Sequence, residues 1–416
     1  MQFKQISVIG LGYIGLPTAA MFASRGANVI GVDVSPEVVQ TINRGEIHIV
    51  EPNLKELVHD CVLQNKLKAT CVPEAADAFM IAVPTPFKNN DDKIPQPDLS
   101  FIRAACQAIA PVLKKGNLVV LESTSPVGTT EKVSEWLAEL RPDLKFPDNP
   151  NSKSDIFIAH CPERVLPGKV LEELIDNDRI IGGITPRCSE AAKVLYEMFV
   201  LGECHVTNAK TAEMAKLTEN ASRDVAIAFA NELSLICDKL DINPWELIEL
   251  ANKHPRVQIL QPGPGVGGHC IAVDPWFIAS SAPTDSQLIQ LARKVNNAKP
   301  NWVLEKTYQM VREFKKLNSG HRPKVVCYGL AFKSNIDDLR ESPALEIASK
   351  LFYELGENLY TVEPNIDDRK IRGMTNLSYE DAKSLGDIHV LLVDHDEFRS
   401  DPPLSSWVLD TRGCWR

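Results

Sequence analysis

The chain has 416 residues, of which 44% are hydrophobic and 24% charged, and its formal net charge is -10. This length predicts two or three domains of a globular protein, and the acidic balance without a basic run argues against nucleic-acid binding, which depends on clustered lysine and arginine. The ten cysteines are scattered without a C-x-x-C pair, which indicates free thiols rather than a disulfide framework or a metal site.

The N-terminal residues pass almost at once into "ISVIGLGYIG", without the apolar core of a signal peptide. No stretch reaches the roughly 18 uninterrupted apolar residues that a membrane helix needs. We therefore expect a cytoplasmic protein that binds small molecules and neither a membrane nor nucleic acid.

The first half of the chain alternates short apolar runs with helical patterns. The predicted strands lie at 6–10, 28–33, 78–84, 117–123, 156–160, 179–183 and 203–208. Amphipathic stretches lie between several of them, as a parallel sheet built from βαβ units requires. These observations predict an α/β fold with an N-terminal Rossmann-type parallel sheet over residues 1–208.

A different pattern begins at Ala209. Residues 209–240 contain no glycine or proline, which predicts a single helix about 45 Å long. A helix of this length is longer than is needed to cover one small sheet. Further helix is predicted at 291–314. We interpret residues 209–316 as a central long-helix region, and the apolar surplus of the first helix predicts a homodimer that forms through it.

A second alternating pattern follows the linker "LNSGHRP" at 317–323. Its apolar runs lie at 324–332, 357–364, 388–394 and 407–410. This pattern predicts a smaller, Rossmann-like α/β domain over residues 317–416.

The motif "GLGYIG" places Gly10, Gly12 and Gly15 in the pattern G-x-G-x-x-G. It follows an apolar strand, opens a helical stretch, and is followed by a strand that ends in Asp33, which is the context of a dinucleotide site. The glycines allow a tight turn, close approach of the pyrophosphate, and packing of the helix on the strand. Asp33 would accept hydrogen bonds from ribose hydroxyls and repel a 2'-phosphate, so the predicted cofactor is NAD+ rather than NADP+.

Other residues at the carboxyl ends of these strands are expected at the cofactor, because ligands of open α/β sheets bind there. Thr85 follows one strand in "VPTP" and Thr124 follows another in "STSPVG". Thr129 belongs to the same set, although a hydroxyl that caps the turn would explain it equally well. Tyr13 and Ile14, inside the glycine motif, complete the set.

Cys270 lies behind two glycines in "GVGGHCIAVDP", four residues before Asp274. A buried, inert thiol explains the cysteines inside apolar strands and helices, such as Cys327, but not one in a glycine-rich loop. A nucleophilic thiol explains it, because a thiolate adds to the aldehyde that the first hydride transfer produces. The thiohemiacetal then loses a second hydride, and water hydrolyses the resulting thioester. Cysteine thus turns a two-electron oxidation into a four-electron one.

Polar residues elsewhere fit the same chemistry. Lys216, Asn220 and Arg223 are spaced i, i+4 and i+7 and share one face of the long helix, although a solvated stripe has the same spacing. Glu163 and Arg164 follow the strand at 156–160, where a surface turn would also explain their charges.

The chain resembles the UDP-glucose/GDP-mannose dehydrogenase family over essentially its whole length. The motifs, in the family's order, are "GLGYIGLP", "VPTP", "ESTSPVGTT", "PERVLPG", "AEMAKLTEN", "GVGGHCIAVDP" and "GLAFKSNIDDLRESPA". The stretches "NRGEIHIVEP" and "HPRVQILQPGPGVGGHCIAVDPWF" are most similar to the UDP-N-acetylmannosamine dehydrogenases of bacteria. The resemblance implies an NAD domain, a central dimerisation region and a UDP-binding domain. It also implies that two NAD+ oxidise UDP-N-acetyl-D-mannosamine to UDP-N-acetyl-D-mannosaminuronate, for surface polysaccharide biosynthesis.

The resemblance further implies roles for single residues. Cys270 is implied to be the nucleophile. Lys216 and Asn220 are implied to bind the hydroxyl, an ordered water or the developing oxyanion, and Asp274 to position that water and Lys216. Glu163 is implied to be the general base for thioester hydrolysis. The positions implied to bind the substrate are Arg164, Val165, Lys216, Asn220, Arg223, His254, Arg256, Gly267, Lys333 and Arg340, and the last of these also reaches the NAD+ site.

Three alternatives stay open on the sequence. A two-electron dehydrogenase of the 6-phosphogluconate or hydroxyacyl type shares the Rossmann domain and the long helix but has no use for Cys270. A catalytically silent NAD-binding regulator is expected to lose Lys216, Asn220 or Cys270, and all three are present. The C2 epimer UDP-N-acetylglucosamine remains a competing substrate, because one stereocentre is decided by contacts worth about 1–3 kcal/mol.

Overall fold

The computed structural model describes residues 2–88, 94–166, 168–268 and 270–415, so the Pro167 and His269 positions of two motifs lie outside the description. The chain forms two compact units. The first extends to Glu219 and includes Ser280–Pro283, and the second comprises the remaining residues from Asn220. The division into three domains at residues 208 and 316 stays a prediction.

The first unit contains an eight-stranded sheet, counted over the described residues, with the order β3-β2-β1-β4-β5-β6-β7-β8. Its strands are β1 (Gln5–Ile9), β2 (Asn28–Val32), β3 (Leu67–Thr70), β4 (Ala78–Ile81), β5 (Leu118–Leu121), β6 (Phe157–His160), β7 (Arg179–Gly183) and β8 (Cys204–Asn208). The predicted Rossmann-type sheet is confirmed. Most central positions are buried, because helices cover both faces.

The helices of this unit are α1 (Gly15–Ser24), α2 (Pro36–Asn43), α3 (Leu54–Leu63), α4 (Ser100–Ile109), α5 (Thr129–Leu140), α6 (Val170–Asp176) and α7 (Pro186–Tyr196), with a 3-10 turn at Ala110–Val112. One apolar core packs α1, α3, α6 and α7 on one face of the sheet, and a second packs α4 and α5 on the other. Thr185 shows how such a helix begins. Its hydroxyl accepts a hydrogen bond from the Cys188 N–H, and Pro186 is the first residue of α7.

One strand of the first sheet departs from the predicted parallel arrangement. β7 runs antiparallel to β6, with Ala159 opposite Gly183 and His160 opposite Gly182. Among its described residues, the connection from β6 to β7 includes the seven-residue helix α6. A parallel crossover must return the chain to the opposite edge of the sheet, whereas an antiparallel partner starts at the edge where its neighbour ended. Arg179, at the start of β7, therefore lies at the carboxyl edge of β5 and β6.

The central helices are α8 (Ala209–Leu240), α9 (Pro244–Ala251), α10 (Asp274–Ser281) and α11 (Gln287–Leu317). The bounds of α8 match the prediction, whereas α11 extends the prediction at both ends and passes through Pro300. The second unit joins α8 to α11 through buried polar pairs: Asp224 with Arg293, and Asn231 with Asn296.

The second unit also contains a six-stranded sheet in the described residues, with the order β11-β12-β10-β9-β13-β14. Its elements are β9 (Val325–Tyr328), α12 (Pro343–Leu355), β10 (Leu359–Val362), β11 (Lys370–Ile371), β12 (Met374–Asn376), α13 (Tyr379–Leu385), β13 (Ile388–Leu391) and β14 (Val408–Asp410), with 3-10 turns at Gly356–Asn358 and Asp396–Phe398. Among the described strands of this second sheet, only β11 and β12 pair antiparallel. The predicted Rossmann-like domain is confirmed. Among the described helices, none is both long and apolar enough to span a membrane.

Candidate active site

The glycine turn after β1 is packed closely against the neighbouring backbone. Gly10 has a φ of +92°, and a Cβ there would lie 2.5 Å from the Ala82 carbonyl oxygen. A Cβ on Gly15 would lie 1.8 Å from the Gly10 oxygen, so neither position accepts a side chain. Asp33 braces this turn, because its Oδ2 accepts the Leu11 N–H at 3.0 Å.

The same edge of the sheet has the features of a dinucleotide cradle. A Cβ on Gly12 would have no neighbour within 4 Å, so the backbone there is open to close approach. Tyr13 is 39% exposed and Ile14 half-buried, just before α1 begins. Asp33 is half-buried and keeps a carboxylate at the rim. These residues fit NAD, whose pyrophosphate they would hold at the N-terminus of α1 and whose ribose Asp33 would bind.

The three threonines of the cofactor prediction have different surroundings. Thr85 is half-buried, and its hydroxyl has no hydrogen-bond partner among the described residues. Thr124 is half-buried beyond β5. Thr129 is buried, and its hydroxyl donates to the Pro126 carbonyl at 2.6 Å, as a turn cap does. Glu213, which sequence reasoning missed, accepts the Gly128 N–H at 2.6 Å and fixes the start of α5.

The segment after β6 carries three residues of the predicted site. Glu163 is buried and paired with Arg179. Arg164 donates to Glu219 Oε1 at 2.6 Å, and Val165 packs against the first core. The predicted general base is therefore held rigidly by an arginine that the sequence motifs did not include.

A distant carboxylate anchors the other end of this segment. Glu51 is 6% exposed, and its two oxygens accept the N–H groups of Gly168 and Val170 at 2.9 and 2.8 Å. These contacts cap the start of α6. Glu51 lies in the stretch "NRGEIHIVEP". The sequence of this stretch indicated the family, but it predicted no role for Glu51.

The polar stripe of α8 is divided between buried and exposed positions. Lys216 is 7% exposed, Asn220 is half-buried and Arg223 is exposed. Asn220 Nδ2 donates to Asp274 Oδ2 at 2.5 Å. The structure thus joins two residues of the predicted catalytic set that lie 54 positions apart in the chain.

Cys270 is exposed and sits in the turn that leads into α10. Its carbonyl accepts the N–H groups of Val273 and Asp274 at 3.0 and 2.9 Å, so the cysteine precedes the helix by one turn. Asp274 is 2% exposed, at the first position of α10. By contrast, burial raises the pKa of the Cys106 and Cys327 thiols to about 12, which leaves them protonated and inert.

The glycines before the cysteine are packed against the loop that follows β9. A Cβ on Gly267 would lie 2.5 Å from the Glu341 carbonyl oxygen and 2.6 Å from the Pro343 ring. That same loop carries Lys333 and Arg340, both exposed. Two motifs separated by about sixty residues therefore form one surface within the second unit.

His254 and Arg256 lie in an exposed loop after α9. Asn252 closes the base of that loop, because its amide donates to the Ile259 carbonyl at 3.0 Å and accepts the Ile259 N–H at 2.7 Å. Sequence reasoning missed Asn252, although an asparagine that bonds to the backbone is a common turn signal.

Comparison with known proteins assigns the family. The NAD binding domain of the UDP-glucose/GDP-mannose dehydrogenase family matches residues 4–200, its central domain residues 210–298, and its UDP binding domain residues 326–416. The chain belongs to this dehydrogenase family. It is therefore an NAD-dependent oxidoreductase, and UDP-sugars are its substrate class; both sequence predictions are confirmed.

Individual dehydrogenases of the family are similar over the full length. An NDP-N-acetyl-D-galactosaminuronic acid dehydrogenase of Ralstonia nicotianae is 60% identical over 100% of this chain and 97% of its own length. A UDP-N-acetyl-D-mannosamine dehydrogenase of Yersinia pestis is 56% identical over 100% of both chains. The solved UDP-D-ManNAc dehydrogenase of Pyrococcus horikoshii is 37% identical, with a TM-score of 0.85 over 99% of this chain and 96% of that one.

Proposed function

We propose that this dehydrogenase oxidises C6 of UDP-N-acetyl-D-mannosamine to the carboxylate, giving UDP-N-acetyl-D-mannosaminuronate with two NAD+ per turnover. The observation that best supports a four-electron reaction is the exposed Cys270 one turn before Asp274, which is hydrogen-bonded to Asn220. The Yersinia pestis relative supports the choice of sugar. The product would be an activated uronic acid for surface polysaccharide synthesis.

The first half of the reaction makes an aldehyde. Bound NAD+ supplies the hydride acceptor, once for the alcohol and once for the thiohemiacetal. Lys216 accepts the hydroxyl proton in our proposal, and Asn220 donates a hydrogen bond to the oxygen that develops negative charge. Asp274 orients the Asn220 amide, as their 2.5 Å hydrogen bond indicates.

The second half makes and hydrolyses a thioester. The Cys270 thiolate forms a C–S bond to the aldehyde carbon, and loss of the hydride restores the carbonyl as a thioester. Water then attacks that carbonyl while Glu163 takes one of its protons, the C–S bond breaks, and Cys270 leaves as thiolate. Arg164, Val165, Arg223, His254, Arg256, Gly267, Lys333 and Arg340 are proposed to bind the nucleotide sugar, since a diphosphate is best held by arginine and lysine donors.

A homodimer through α8 is part of the proposal. Phe229, Ile236 and Leu240 are 54%, 47% and 60% exposed and follow one face of the helix. A large apolar stripe on a helix marks an association surface. Sedimentation should give a dimer for the native chain and a shift toward monomer for Phe229→Glu. The ten free cysteines are consistent with work in the cytoplasm.

A second candidate substrate comes from the Ralstonia nicotianae relative, whose name specifies an NDP-N-acetyl-D-galactosaminuronic acid. The manno, gluco and galacto forms of UDP-N-acetylhexosamine differ at one or two stereocentres, which pocket contacts of about 1–3 kcal/mol decide. All three sugars therefore belong in the test.

The deciding experiment is the stoichiometry of NADH formed per sugar consumed. Two NADH with the manno sugar alone support the proposal, and two with another sugar alone move the substrate. One NADH with every sugar would overturn the thiol mechanism. Cys270→Ser should stop the second oxidation while UDP-sugar binding is retained.

Limiting alkylation tests the accessibility of the nucleophile. Cys71 is the matched control, because it is the other exposed cysteine. A UDP-sugar should protect Cys270 from iodoacetamide and leave Cys71 labelled as before. Equal protection of both, or of neither, would contradict the assignment of Cys270 to the substrate site.

A further inference from the structure

Five ionisable side chains are buried together at the carboxyl edge of β5 and β6. They are Glu122, Cys161, Glu163, Arg179 and Tyr196, and none is more than 8% exposed. Buried charges are unfavourable unless they are paired, so such a group is rarely kept for stability alone. Of these residues, only Glu163 has a role in the proposed reaction.

Arg179 holds Glu163 in place. Its guanidinium donates to Glu163 Oε2 and, through Nη2, to the Leu174 carbonyl at 3.1 Å. The same guanidinium lies 5.4 Å from the ring centroid of Tyr196 and 5.9 Å from that of Phe199, where cation–π attraction adds to the restraint. The antiparallel direction of β7 brings this arginine to the correct edge.

Glu122 is a second carboxyl group at the same cation. It is 2% exposed, and its Oε1 accepts the Tyr196 hydroxyl at 3.1 Å. Its Oε2 has no hydrogen bond within the described residues, and the Thr18 hydroxyl lies beside the carboxyl without hydrogen-bond geometry. One arginine therefore faces two buried carboxyl groups, of which it bonds only to Glu163.

The charge balance of this cluster depends on Glu122. Burial and the neighbouring Glu163 raise the pKa of the Glu122 carboxyl to about 8, against the opposing influence of Arg179 and Tyr196. Burial raises the pKa of Cys161 to about 12 and that of Tyr196 well above 10, so both stay neutral. The charged and titratable groups that face Glu122 are thus Glu163, Arg179, Tyr196 and Cys161.

We propose that Glu122, acting through Arg179 and Tyr196, is a positioning residue that sets how completely Arg179 compensates the charge of Glu163 during thioester hydrolysis. The inference rests on the proposed role of Glu163. With Glu122 neutral, Arg179 compensates the charge of Glu163 alone. When Glu122 loses its proton, two anions share the one cation, and Arg179 compensates the charge of Glu163 less completely. The hydrolytic step then becomes faster as the second carboxyl ionises.

The experiment measures the rate constant of thioester hydrolysis. This constant is the turnover rate divided by the fraction of Cys270 that carries the acyl group in the steady state, as trapped by an acid quench. Mass spectrometry of the quenched protein gives that fraction. The ratio of the native rate constant to that of Glu122→Gln at each pH cancels the titration of every group that Glu122 does not influence. The native-to-variant ratio should rise roughly threefold from pH 7 to pH 9.

Two further variants make the test specific. Tyr196→Phe removes the hydroxyl that donates to Glu122, keeps the ring under Arg179, and should shift the rise to higher pH. Asp77→Asn is the matched control, because Asp77 accepts the Lys4 and Gln5 N–H groups at the amino end of the sheet. Its ratio to the native rate constant should be the same at every pH.

The outcomes separate this inference from the proposed function. A native-to-Glu122→Gln ratio that stays constant with pH, while acyl-Cys270 forms and two NADH appear, would overturn the role of Glu122 alone. Absence of acyl-Cys270 together with one NADH would overturn the proposed function itself. If Glu122→Gln does not fold, a pH profile of Tyr196→Phe identical to the native one overturns the inference.

Discussion

In both Rossmann-like units an acidic residue at the end of the second strand braces the turn after the first strand. Asp33 accepts the Leu11 N–H at 3.0 Å, and Glu363 accepts the Leu330 and Ala331 N–H groups at 2.7 and 3.0 Å. Asp33 is half-buried, whereas Glu363 is 1% exposed. The first carboxylate remains accessible to a ligand, and the second is an internal brace.

His395 closes the second site. Its Nε2 lies 3.2 Å from Glu363 Oε2, and its Nδ1 accepts the Asn335 N–H at 2.9 Å. Because Nδ1 is an acceptor, the ring proton is on Nε2 and faces the carboxylate. The comparison teaches that the strand, turn and acidic residue do not by themselves make a dinucleotide site. The unit that contains the NAD binding domain differs from the other in keeping this carboxylate accessible.

The largest loss of stability is expected for substitution of Glu363, the buried carboxylate that accepts hydrogen bonds from the turn after β9. Glu363→Ala should lower the free energy of unfolding by about 4 kcal/mol, because it leaves two buried N–H groups and His395 without their partner. Urea unfolding followed by tryptophan fluorescence measures it. Asp33→Ala is the control and should lose less than half as much. Equal losses would mean that the two carboxylates do not differ as described.

Removal of the Glu122 carboxyl is expected to change the free energy of unfolding in the opposite direction to removal of the Glu363 carboxyl. A buried carboxyl with a raised pKa destabilises the fold as pH rises from the ordinary value of 4.5 to about 8, because the unfolded chain ionises first. Glu122→Gln should therefore raise the free energy of unfolding by about 4 kcal/mol at pH 8 and leave it unchanged at pH 4. Urea unfolding at the two pH values decides. A variant that is less stable at pH 8 would contradict the assignment.

Glu363 should show the reverse pH dependence. Burial alone would raise its pKa, but His395 and the two N–H donors outweigh burial and hold the pKa below the ordinary value. Its contribution is complete above the ordinary range and lost as pH falls through the lowered pKa. Acid should therefore reduce the stability difference between the native chain and Glu363→Gln.

The accessible carboxylate should matter for binding. Asp33→Ala is expected to weaken NAD+ binding by about 2 kcal/mol, roughly thirtyfold, through the loss of charge-assisted hydrogen bonds to the ribose. Calorimetric titration measures this loss, and UDP-sugar affinity of the same variant is the internal control. A similar loss for both ligands would show that the substitution disturbs more than the cofactor site.

The smallest effect is expected in the loop after β9. Asn335 has a φ of +62°, and its amide exchanges hydrogen bonds with Asp396 at 2.9 and 3.0 Å. Asn335→Ala should lower the free energy of unfolding by about 1 kcal/mol and raise the KM for the UDP-sugar through Lys333 and Arg340. Asn335→Gly restores the backbone freedom and separates that component. An unchanged KM in both variants would contradict a supporting role for this loop.

Several elements followed directly from the sequence. The absence of glycine and proline predicted α8 with its observed bounds, and the apolar runs predicted both sheets. The direction of β7 was missed, because an apolar run in the sequence gives no information about the direction of the strand it forms. Of the site, the resemblance to the family put Asn220 and Asp274 in the predicted catalytic set, and the two side chains are hydrogen-bonded.

Other residues gave no signal in the chain. Arg179 and Glu122 belong to apolar strands and their ends, where a charged residue is unexpected and its partner is distant in sequence. Glu213 is one polar residue among many on a long helix. Their importance arises only from tertiary contacts, which composition and spacing do not encode. The roles of Cys270 and Glu163 remain predictions that the kinetic experiments test.

The hydrogen bonds from Gly168 and Val170 to Glu51 bear on protein engineering. They join positions 117 and 119 residues apart, so the segment carrying Glu163 and Arg164 is not a self-contained loop. If residues 161–170 were grafted into a relative, they would lose the hydrogen bonds to Glu51 unless the segment around Glu51 were transferred as well. Specificity exchange in this scaffold therefore requires two cassettes, of which one contains no residue that is proposed to touch the sugar.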